Sequence, residues 1–169
     1  MNLTRRHLFG LISFICISGL IAAFYMEHIM GLNPCPLCQL QRLAMFFSGL
    51  FALLAFIHQP KLLGGRIYLG FITLSSCAGI GVAARQLWLQ QLPKDQVPAC
   101  GPGLEYLLDV FPLFEVLQQV LSGSGECAEI AWQLWGISLP GWSAIMFLAL
   151  LIICGYYLSL DIRHRTKPV

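Results

Sequence analysis

Charged residues are scarce in this chain. Asp, Glu, Lys and Arg make up only 11% of its 169 residues, whereas about 25% is usual in a soluble domain. Hydrophobic residues make up 57%, and a soluble fold of this size has too small an interior to bury them. The composition therefore argues against an ordinary soluble domain and indicates a membrane protein.

The few charges leave four long apolar segments, at residues 8–26, 43–60, 67–84 and 130–160. A helix needs roughly 17–25 mostly apolar residues to cross the hydrocarbon core, and it satisfies its own backbone polar groups there. We therefore predict an all-α fold, a four-helix transmembrane bundle that forms one integral membrane domain over residues 1–169. The predicted spans are about 8–29, 41–59, 67–89 and 141–160, the last one starting at Pro140-Gly141.

The first segment has an alternative interpretation, because TRRHLFG at residues 4–10 looks like a twin-arginine export signal. A cleaved signal has a shorter apolar core and a small-residue cleavage site. Here the apolar core runs for about 19 residues, and LIAAFYMEH offers a poor cleavage site. We therefore favour an uncleaved first helix.

Basic residues are distributed unevenly between the predicted loops. Seven of the ten Lys and Arg lie at the termini or between the second and third spans: Arg5, Arg6, Lys61, Arg66, Arg163, Arg165 and Lys167. Cytoplasmic loops carry the excess of Lys and Arg. We therefore expect both termini in the cytoplasm and residues about 30–40 and 90–140 on the outer side, which is the periplasm if the membrane is a bacterial inner membrane.

The chain has seven cysteines. Three lie inside predicted spans, where we interpret them as small apolar core residues: Cys16, Cys77 and Cys154. The other four lie in the two outward loops, although the topology was assigned without them: Cys35, Cys38, Cys100 and Cys127. Disulfides form and persist in the periplasm, so these four suggest two pairs.

Several chemistries are open to these four cysteines. We expect no metal site, since 26 residues separate Cys100 from Cys127, and haem attachment needs a histidine where Gln39 follows Cys38. A Cys100–Cys127 bridge would restrain a large loop by roughly 3–4 kcal/mol, so static disulfides remain an alternative. A Cys35–Cys38 bridge would constrain almost nothing, and such vicinal pairs are more often kept for thiol–disulfide exchange.

The stretch LNPCPLCQLQRLAMFF, residues 32–47, carries the first pair into an apolar segment. Pro34 and Pro36 suit the approach to a helix and its first turn, which places Cys38 near the positive end of the helix dipole. Arg42 follows four residues later on the same face. Both effects favour a thiolate at Cys38. The alternative for Arg42 is a helix-end side chain that extends to the interface.

Oxidation of a dithiol releases two electrons, and no metal or flavin motif is visible to accept them. A site at the mouth of a helix bundle is open to a lipid-soluble acceptor, and a quinone fits by position and electron count. Arg42 could donate a hydrogen bond to a quinone carbonyl.

The long outward segment contains a predicted loop and a predicted helix. VPACGPG, around Cys100, is rich in proline and glycine and predicts an exposed, mobile loop. LFEVLQQVLS predicts a short helix lying on the membrane, with one apolar face formed by Leu113, Val116, Leu117, Val120 and Leu121. This helix would hold Cys127 close to Cys35 and Cys38, or would serve packing alone.

Taken in order, these features resemble the disulfide bond formation protein B family (DsbB) over the whole chain. The resemblance rests on four spans, on Cys-x-x-Cys followed by Arg42, on the cysteine pair in the long loop, and on GECAEIAWQLWGISLPGW at residues 125–142. It implies a monomeric protein-disulfide oxidoreductase of the bacterial inner membrane. Such a protein reoxidises a periplasmic DsbA-like thiol oxidase and passes two electrons to ubiquinone or menaquinone.

The resemblance also implies a role for each candidate site residue. Cys100 would form the mixed disulfide with the partner protein, and Cys127 would be its redox mate. Cys35 would exchange with that pair, Cys38 would face the quinone, and Arg42 would be the arginine on the quinone side.

One position departs from the family pattern, and two rival functions remain. Gln91 stands where the best-known members have a histidine linked to the quinone site, and glutamine cannot take up a proton. The rivals are a vitamin K epoxide reductase-like enzyme and a disulfide-stabilised membrane scaffold. The sequence leaves open the quinone, the partner and the resting pairing of the cysteines, which could lie within each loop or between the loops.

Overall fold

The structure is a computed structural model, and it describes residues 3–93, 95–99, 101 and 104–165. Along these residues the helices and strands follow one another as α1 (Leu3–His28), α2 (Pro36–His58), α3 (Leu62–Gln90), α4 (Leu104–Val110), α5 (Leu113–Ser122), α6 (Gly125–Ala128), β1 (Gln133–Leu134), β2 (Ile137–Ser138) and α7 (Leu139–Arg165). The predicted all-α fold is confirmed, since each strand in the described part of the chain is two residues long.

Four of these helices are long and apolar enough to cross a membrane. The candidate spans are Arg6–His28, Pro36–His58, Leu63–Gln90 and Leu139–Ser159. Their helices pack in the order α1, α2, α3, α7, and α7 also contacts α1, so that the bundle closes on itself. The chain is therefore a multi-pass membrane protein built on a four-helix bundle.

The bundle exposes large apolar side chains as well as burying them. Phe14, Leu74 and Ile152 are each at least 65% exposed, as expected for helices whose outer faces contact lipid rather than water. The core between the helices includes Cys16 and Cys154, as predicted. The same prediction is wrong for Cys77, which lies exposed on the outer face of α3, because membrane helices tolerate small apolar residues on either face.

A second buried cluster lies at one end of the bundle, where the long connection folds back over α2 and α3. It consists of Cys35, Leu37, Leu89, Leu107, Val116, Val120 and Cys127. The connection between α3 and α7 thus has a core of its own, and two of the candidate cysteines are part of it.

The predicted short helix in the long connection is present as α5, but only some of its apolar side chains are buried. Val116 and Val120 are buried in the second cluster, whereas Leu113 and Leu117 are exposed by 77% and 45%. The helix therefore packs on the bundle through its valines and presents leucines outward. Its position in the membrane interface stays a prediction.

A small β-hairpin that the sequence did not predict leads into α7. Gln133 pairs with Ser138 in antiparallel register. The two turn residues, Trp135 and Gly136, have φ values of +53° and +77°, which is the conformation of the tight turn that suits the twist of a hairpin. Glycine adopts this backbone without strain.

One close approach between helices offers a test of the bundle. Gly79 of α3 lies against the ring of Phe147 in α7, and a methyl group added at Gly79 would overlap that ring. Overpacking of this kind costs about 1–3 kcal/mol. We therefore expect Gly79→Ala to lower the resistance of the purified protein to unfolding by SDS. Gly70→Ala is the matched control, because nothing lies within 4 Å of the added carbon at that position. Equal losses in both variants would contradict this packing.

Candidate functional site

The first cysteine pair lies at the beginning of α2. Cys35 is the N-cap residue, Pro36 occupies the first helical turn, and the Cys38 backbone N–H donates to Cys35 Sγ at 3.4 Å. Proline fits here because an amide at this position would have no partner within the helix. The sulfur of Cys35 thus takes the place of the side-chain oxygen that usually caps a helix.

The two sulfur atoms of the pair are neighbours. Cys35 Sγ donates to Cys38 Sγ across 3.2 Å, whereas the sulfurs of a disulfide lie about 2.05 Å apart. A small change in the two side chains therefore separates the dithiol arrangement from a disulfide. Cys35 is buried and Cys38 is partly buried.

The third described cysteine, Cys127, reaches the same place from α6. Ser124 is the N-cap of this short helix, and its Oγ lies 3.6 Å from Cys127 Sγ. Cys127 is fully buried in the cluster that contains Cys35. The structure thus brings together Cys35, Cys38 and Cys127, whereas Cys100 lies outside the described residues.

Cys35 and Cys127 lie in one buried cluster, and their proximity separates the pKa values of these two thiols. The side chain of Cys35 is the main cause that lowers the pKa of Cys127 to about 5, with help from the backbone of Leu37 and from Ser124 against the effect of burial. The same contact with Cys127, followed by that with Cys38, raises the pKa of Cys35. Cys127 is therefore the thiolate of this pair near neutral pH.

Arg42 lies one helical turn beyond Cys38, but its guanidinium group turns toward α1. It forms an ion pair with Glu27, donates to the carbonyl oxygen of Ala23 at 3.1 Å, and lies 5.5 Å from the ring centroid of Phe24. Its charge is thus paired with a carboxylate. The sequence predicted that Arg42 shares a face with Cys38, and it did not predict the role of Glu27.

Gln86 of α3 makes the polar contact between the opposite helix and the thiols. Its Nε2 donates to Cys35 Sγ at 3.3 Å and to Cys38 Sγ at 3.2 Å. Its Oε1 accepts from Gln41 Nε2 at 2.8 Å, and Ser143 of α7 donates to Gln41 Oε1. Three helices of the bundle are therefore joined through side chains that end at the two sulfurs.

A cavity of about 340 Å³ opens beside this network. Its wall includes Cys35, Cys38 and Arg42, and most of it is apolar, with contributions from Leu20, Met26, Met45, Leu139, Pro140 and Met146. Trp142 also lines the cavity, and its buried Nε1 has no hydrogen-bond partner among the residues that the structure describes. The wall thus combines an apolar surface, a thiol and an unused N–H donor.

Three further polar residues near this boundary have other contacts. Gln91, the residue that the sequence analysis set against a histidine of the DsbB family, is exposed at the C-terminal end of α3 and is not part of the cavity wall, whereas Gln90 is. Arg85 donates to the carbonyl oxygens of Leu121 and Ser122 at the end of α5. His28 contacts the carbonyl oxygen of Phe24. Of these positions, Arg85 has a clear structural use, since it ties the long connection to α3.

Sequence analysis missed Glu27, Gln41, Gln86 and Trp142. A signal was present for the two glutamines, because polar side chains within apolar spans usually bond between helices. No pattern indicated that Gln86 faces the thiols, since its partners lie 45 or more residues away in the chain. Among the described residues, no group of three or more His, Cys, Asp or Glu is arranged to hold a metal ion.

The apolar four-helix bundle and the cluster of thiols beside a cavity define the class of membrane proteins with a thiol-based redox site. Comparison with known proteins identifies the family. The model of the family described as disulfide bond formation protein DsbB matches residues 5–157, and the chain belongs to this family. It is therefore a disulfide-forming oxidoreductase of the membrane.

Relatives of similar length support this assignment. Disulfide bond formation protein B of Marinobacter nauticus is 52% identical over 158 residues, which is 94% of each chain. The proteins of the same name from Hahella chejuensis and Acinetobacter baumannii are 50% and 48% identical, over 86% and 91% of this chain and 88% and 91% of their own.

The contact between Cys35 and Cys127 predicts a pH dependence. Because the pKa of Cys127 is lowered to about 5, the fully reduced protein should alkylate at Cys127 at a constant rate near pH 7 and more slowly as the pH falls through 5. In Cys35→Ala the main cause of the lowered pKa is gone, so the midpoint should rise toward the ordinary thiol value of about 8.5. Peptide mass spectrometry after iodoacetamide treatment measures both profiles.

Cys38→Ala is the control for this experiment, because Cys38 is not among the causes that set the acidity of Cys127. Its midpoint should stay near that of the unmodified protein. An unchanged midpoint in Cys35→Ala would show that the contact does not stabilise the thiolate.

Proposed function

We propose that this protein oxidises a periplasmic DsbA-like thiol oxidase and delivers the two electrons to a membrane quinone, either ubiquinone or menaquinone. The observation that carries the proposal is that Cys38 and Arg42 line the same largely apolar cavity. A dithiol and a lipid-soluble acceptor can meet there. Family membership supports the disulfide-forming half of the reaction.

The residues around the cavity suit a quinone ring. A quinone is a flat, apolar ring with two carbonyl oxygens, and binding sites for such molecules are mostly apolar with a few placed polar groups. The methionines and leucines of the wall would contact the ring. The unpartnered Nε1–H of Trp142 would donate to a carbonyl oxygen, and a buried donor of this kind is costly unless it has a partner. Arg42 would stabilise negative charge on the oxygen.

The thiols of the chain can supply the two electrons that a quinone accepts. Oxidation of the Cys35–Cys38 dithiol breaks two S–H bonds, forms one S–S bond and releases two electrons and two protons. A bound quinone would accept the two electrons and the two protons. Cys38 is the thiol assigned to the cavity side, since it lies one turn from Arg42 on α2.

Electrons reach the first pair through the second. Cys100 would form the mixed disulfide with the partner protein, and Cys127 would complete its pair. The thiolate of Cys127 attacks Cys35 Sγ in the Cys35–Cys38 disulfide, a new S–S bond forms, and Cys38 leaves as a thiolate with the electron pair. Cys127 lies in the same buried cluster as Cys35, which supports this order of attack.

The proposed location follows from the charges. With Lys and Arg concentrated at the termini and between α2 and α3, both termini would lie in the cytoplasm of a bacterial cell. The thiols would then face the periplasm, where the partner is a soluble thiol oxidase. We propose that one chain suffices, because the three described thiols and the cavity come from a single bundle.

The reaction is tested by quinone reduction with purified protein and reduced DsbA-like partner. Cys38→Ser should lower the rate at least 100-fold, because the dithiol can no longer close its disulfide. Cys77→Ser is the matched control and should retain the rate, since Cys77 lies on the outer face of α3, away from the cavity. An intact rate in Cys38→Ser would rule out the relay. If all four single Cys→Ser variants at the site lose stability while their activity per folded molecule persists, the cysteines form a scaffold instead.

Trp142 tests the cavity as the quinone site. In Trp142→Phe the ring remains and the N–H donor is lost, so the KM for quinone should rise about tenfold, as expected for one hydrogen bond to a buried site. The KM for the reduced partner should not change. Steady-state rates at varied quinone and at varied partner separate the two constants. A rise in the partner KM alone would place the quinone elsewhere.

A further inference from the structure

Gln86 occupies an unusual position for a neutral side chain in an apolar bundle. It is 3% exposed, and its amide nitrogen lies 3.3 Å from Cys35 Sγ and 3.2 Å from Cys38 Sγ. An amide NH2 group has two hydrogens, so that one nitrogen can donate to both sulfurs together. No other side chain of α3 among the described residues forms a hydrogen bond to these sulfurs.

The orientation of this amide is set by its surroundings. Gln86 Oε1 accepts from Gln41 Nε2 at 2.8 Å and from Cys38 Sγ at 3.5 Å, and this orientation brings the nitrogen of Gln86 closer to both sulfurs than the oxygen is to Cys38. Gln41 is itself buried, and Ser143 donates to its Oε1. The three side chains come from α3, α2 and α7, so the donor is held in place before any charge develops on sulfur.

Neither Arg42 nor Arg85 donates a hydrogen bond to the sulfurs of Cys35 and Cys38. The guanidinium group of Arg42 is paired with Glu27 and the Ala23 carbonyl oxygen. Arg85 donates to carbonyl oxygens at the end of α5. Buried negative charge on Cys38 is costly unless a donor compensates it. Cys35 donates to Cys38 in the dithiol but has no S–H once it is bonded to Cys127, whereas the N–H groups of Gln86 remain within hydrogen-bond distance.

We propose that Gln86 is a catalytic residue whose amide N–H groups stabilise the thiolate that forms at Cys38 when the Cys35–Cys38 disulfide opens. The inference rests on the proposed exchange of electrons from Cys127 to the first pair. In that step the Cys127 thiolate bonds to Cys35 Sγ, the Cys35–Cys38 bond breaks, and Cys38 takes the electron pair. The nitrogen of Gln86 lies within hydrogen-bond distance of both sulfurs of the breaking bond, so a donor is already beside Cys38 when the negative charge passes from Cys127 to Cys38.

The experiment measures the equilibrium between the dithiol and the disulfide of Cys35 and Cys38. The full-length protein is equilibrated with glutathione buffers of known ratio in the absence of quinone and partner. Free thiols are then alkylated, and the peptide that contains residues 35–38 is quantified by mass spectrometry. A donor that stabilises the reduced, charged form makes a disulfide more oxidising.

Gln86→Met keeps the length of the side chain and removes both N–H groups. We expect its Cys35–Cys38 disulfide to be about tenfold harder to reduce, the effect expected of a hydrogen bond to a charged group, which corresponds to about 30 mV for a two-electron couple. Gln86→Lys retains donors and lacks an acceptor. It should therefore keep the disulfide as easy to reduce as in the unmodified protein, or make it easier.

Ser76→Ala is the control for a general loosening of the bundle. Ser76 lies on α3 and pairs with Ser48 of α2 across 3.4 Å, so the variant loses a buried polar contact between the same two helices, about three turns from the thiols. Its Cys35–Cys38 equilibrium should not move. The proposal is overturned if Ser76→Ala shifts the equilibrium as far as Gln86→Met, if Gln86→Met leaves it unchanged, or if Gln86→Lys shifts it in the same direction as Gln86→Met.

This measurement separates the inference from the proposed function. It contains no quinone, so failure of the unmodified protein to reduce quinone would overturn the proposed acceptor and leave the effect of Gln86 readable. Conversely, the unmodified protein could reduce quinone normally while Gln86→Met leaves the Cys35–Cys38 equilibrium unchanged. This result would overturn the role of Gln86 and leave the proposed function intact.

Discussion

The bundle depends on one constraint, which is that polar side chains between membrane helices have to form hydrogen bonds with one another. In this chain the requirement is met by Gln86, Gln41 and Ser143, which join three helices. The same chain of bonds ends at the thiols. These contacts between the helices are therefore also contacts that surround the sulfurs, and a change in helix packing at this end of the bundle changes the environment of the redox site.

Much of the fold was predictable because lipid imposes simple rules. Long charge-free segments indicated four membrane helices, and these helices are present. The β-hairpin before α7 was not predictable, since its strands are two residues long and lie within an apolar segment. The division of α5 into buried valines and exposed leucines also depended on tertiary contacts. An amphipathic pattern shows which residues share a face, and it does not show whether protein or membrane covers that face.

The site was predictable as far as its chemistry depends on local spacing. The Cys-x-x-Cys pair and Arg42 are within one helix, so their relation follows from the sequence. The position of Cys127 against Cys35 depends on the path of a long connection, and the partners of Arg42 and of the thiols come from other helices. Glu27 and Gln86 therefore became visible only in three dimensions. The sequence also drew attention to Gln91, which is exposed and outside the cavity wall, and not to Gln86, more than one turn earlier, which donates to the thiols.

The capping role of Cys35 has a consequence for the N-terminus of α2. The atom that accepts the N–H of Cys38 is the same atom that exchanges bonds with another sulfur. Sulfur keeps lone pairs as a thiol, as a thiolate and in a disulfide, so the N-terminus of α2 retains an acceptor through every exchange at Cys35. The helix terminus and the redox chemistry therefore share one atom without competing for it.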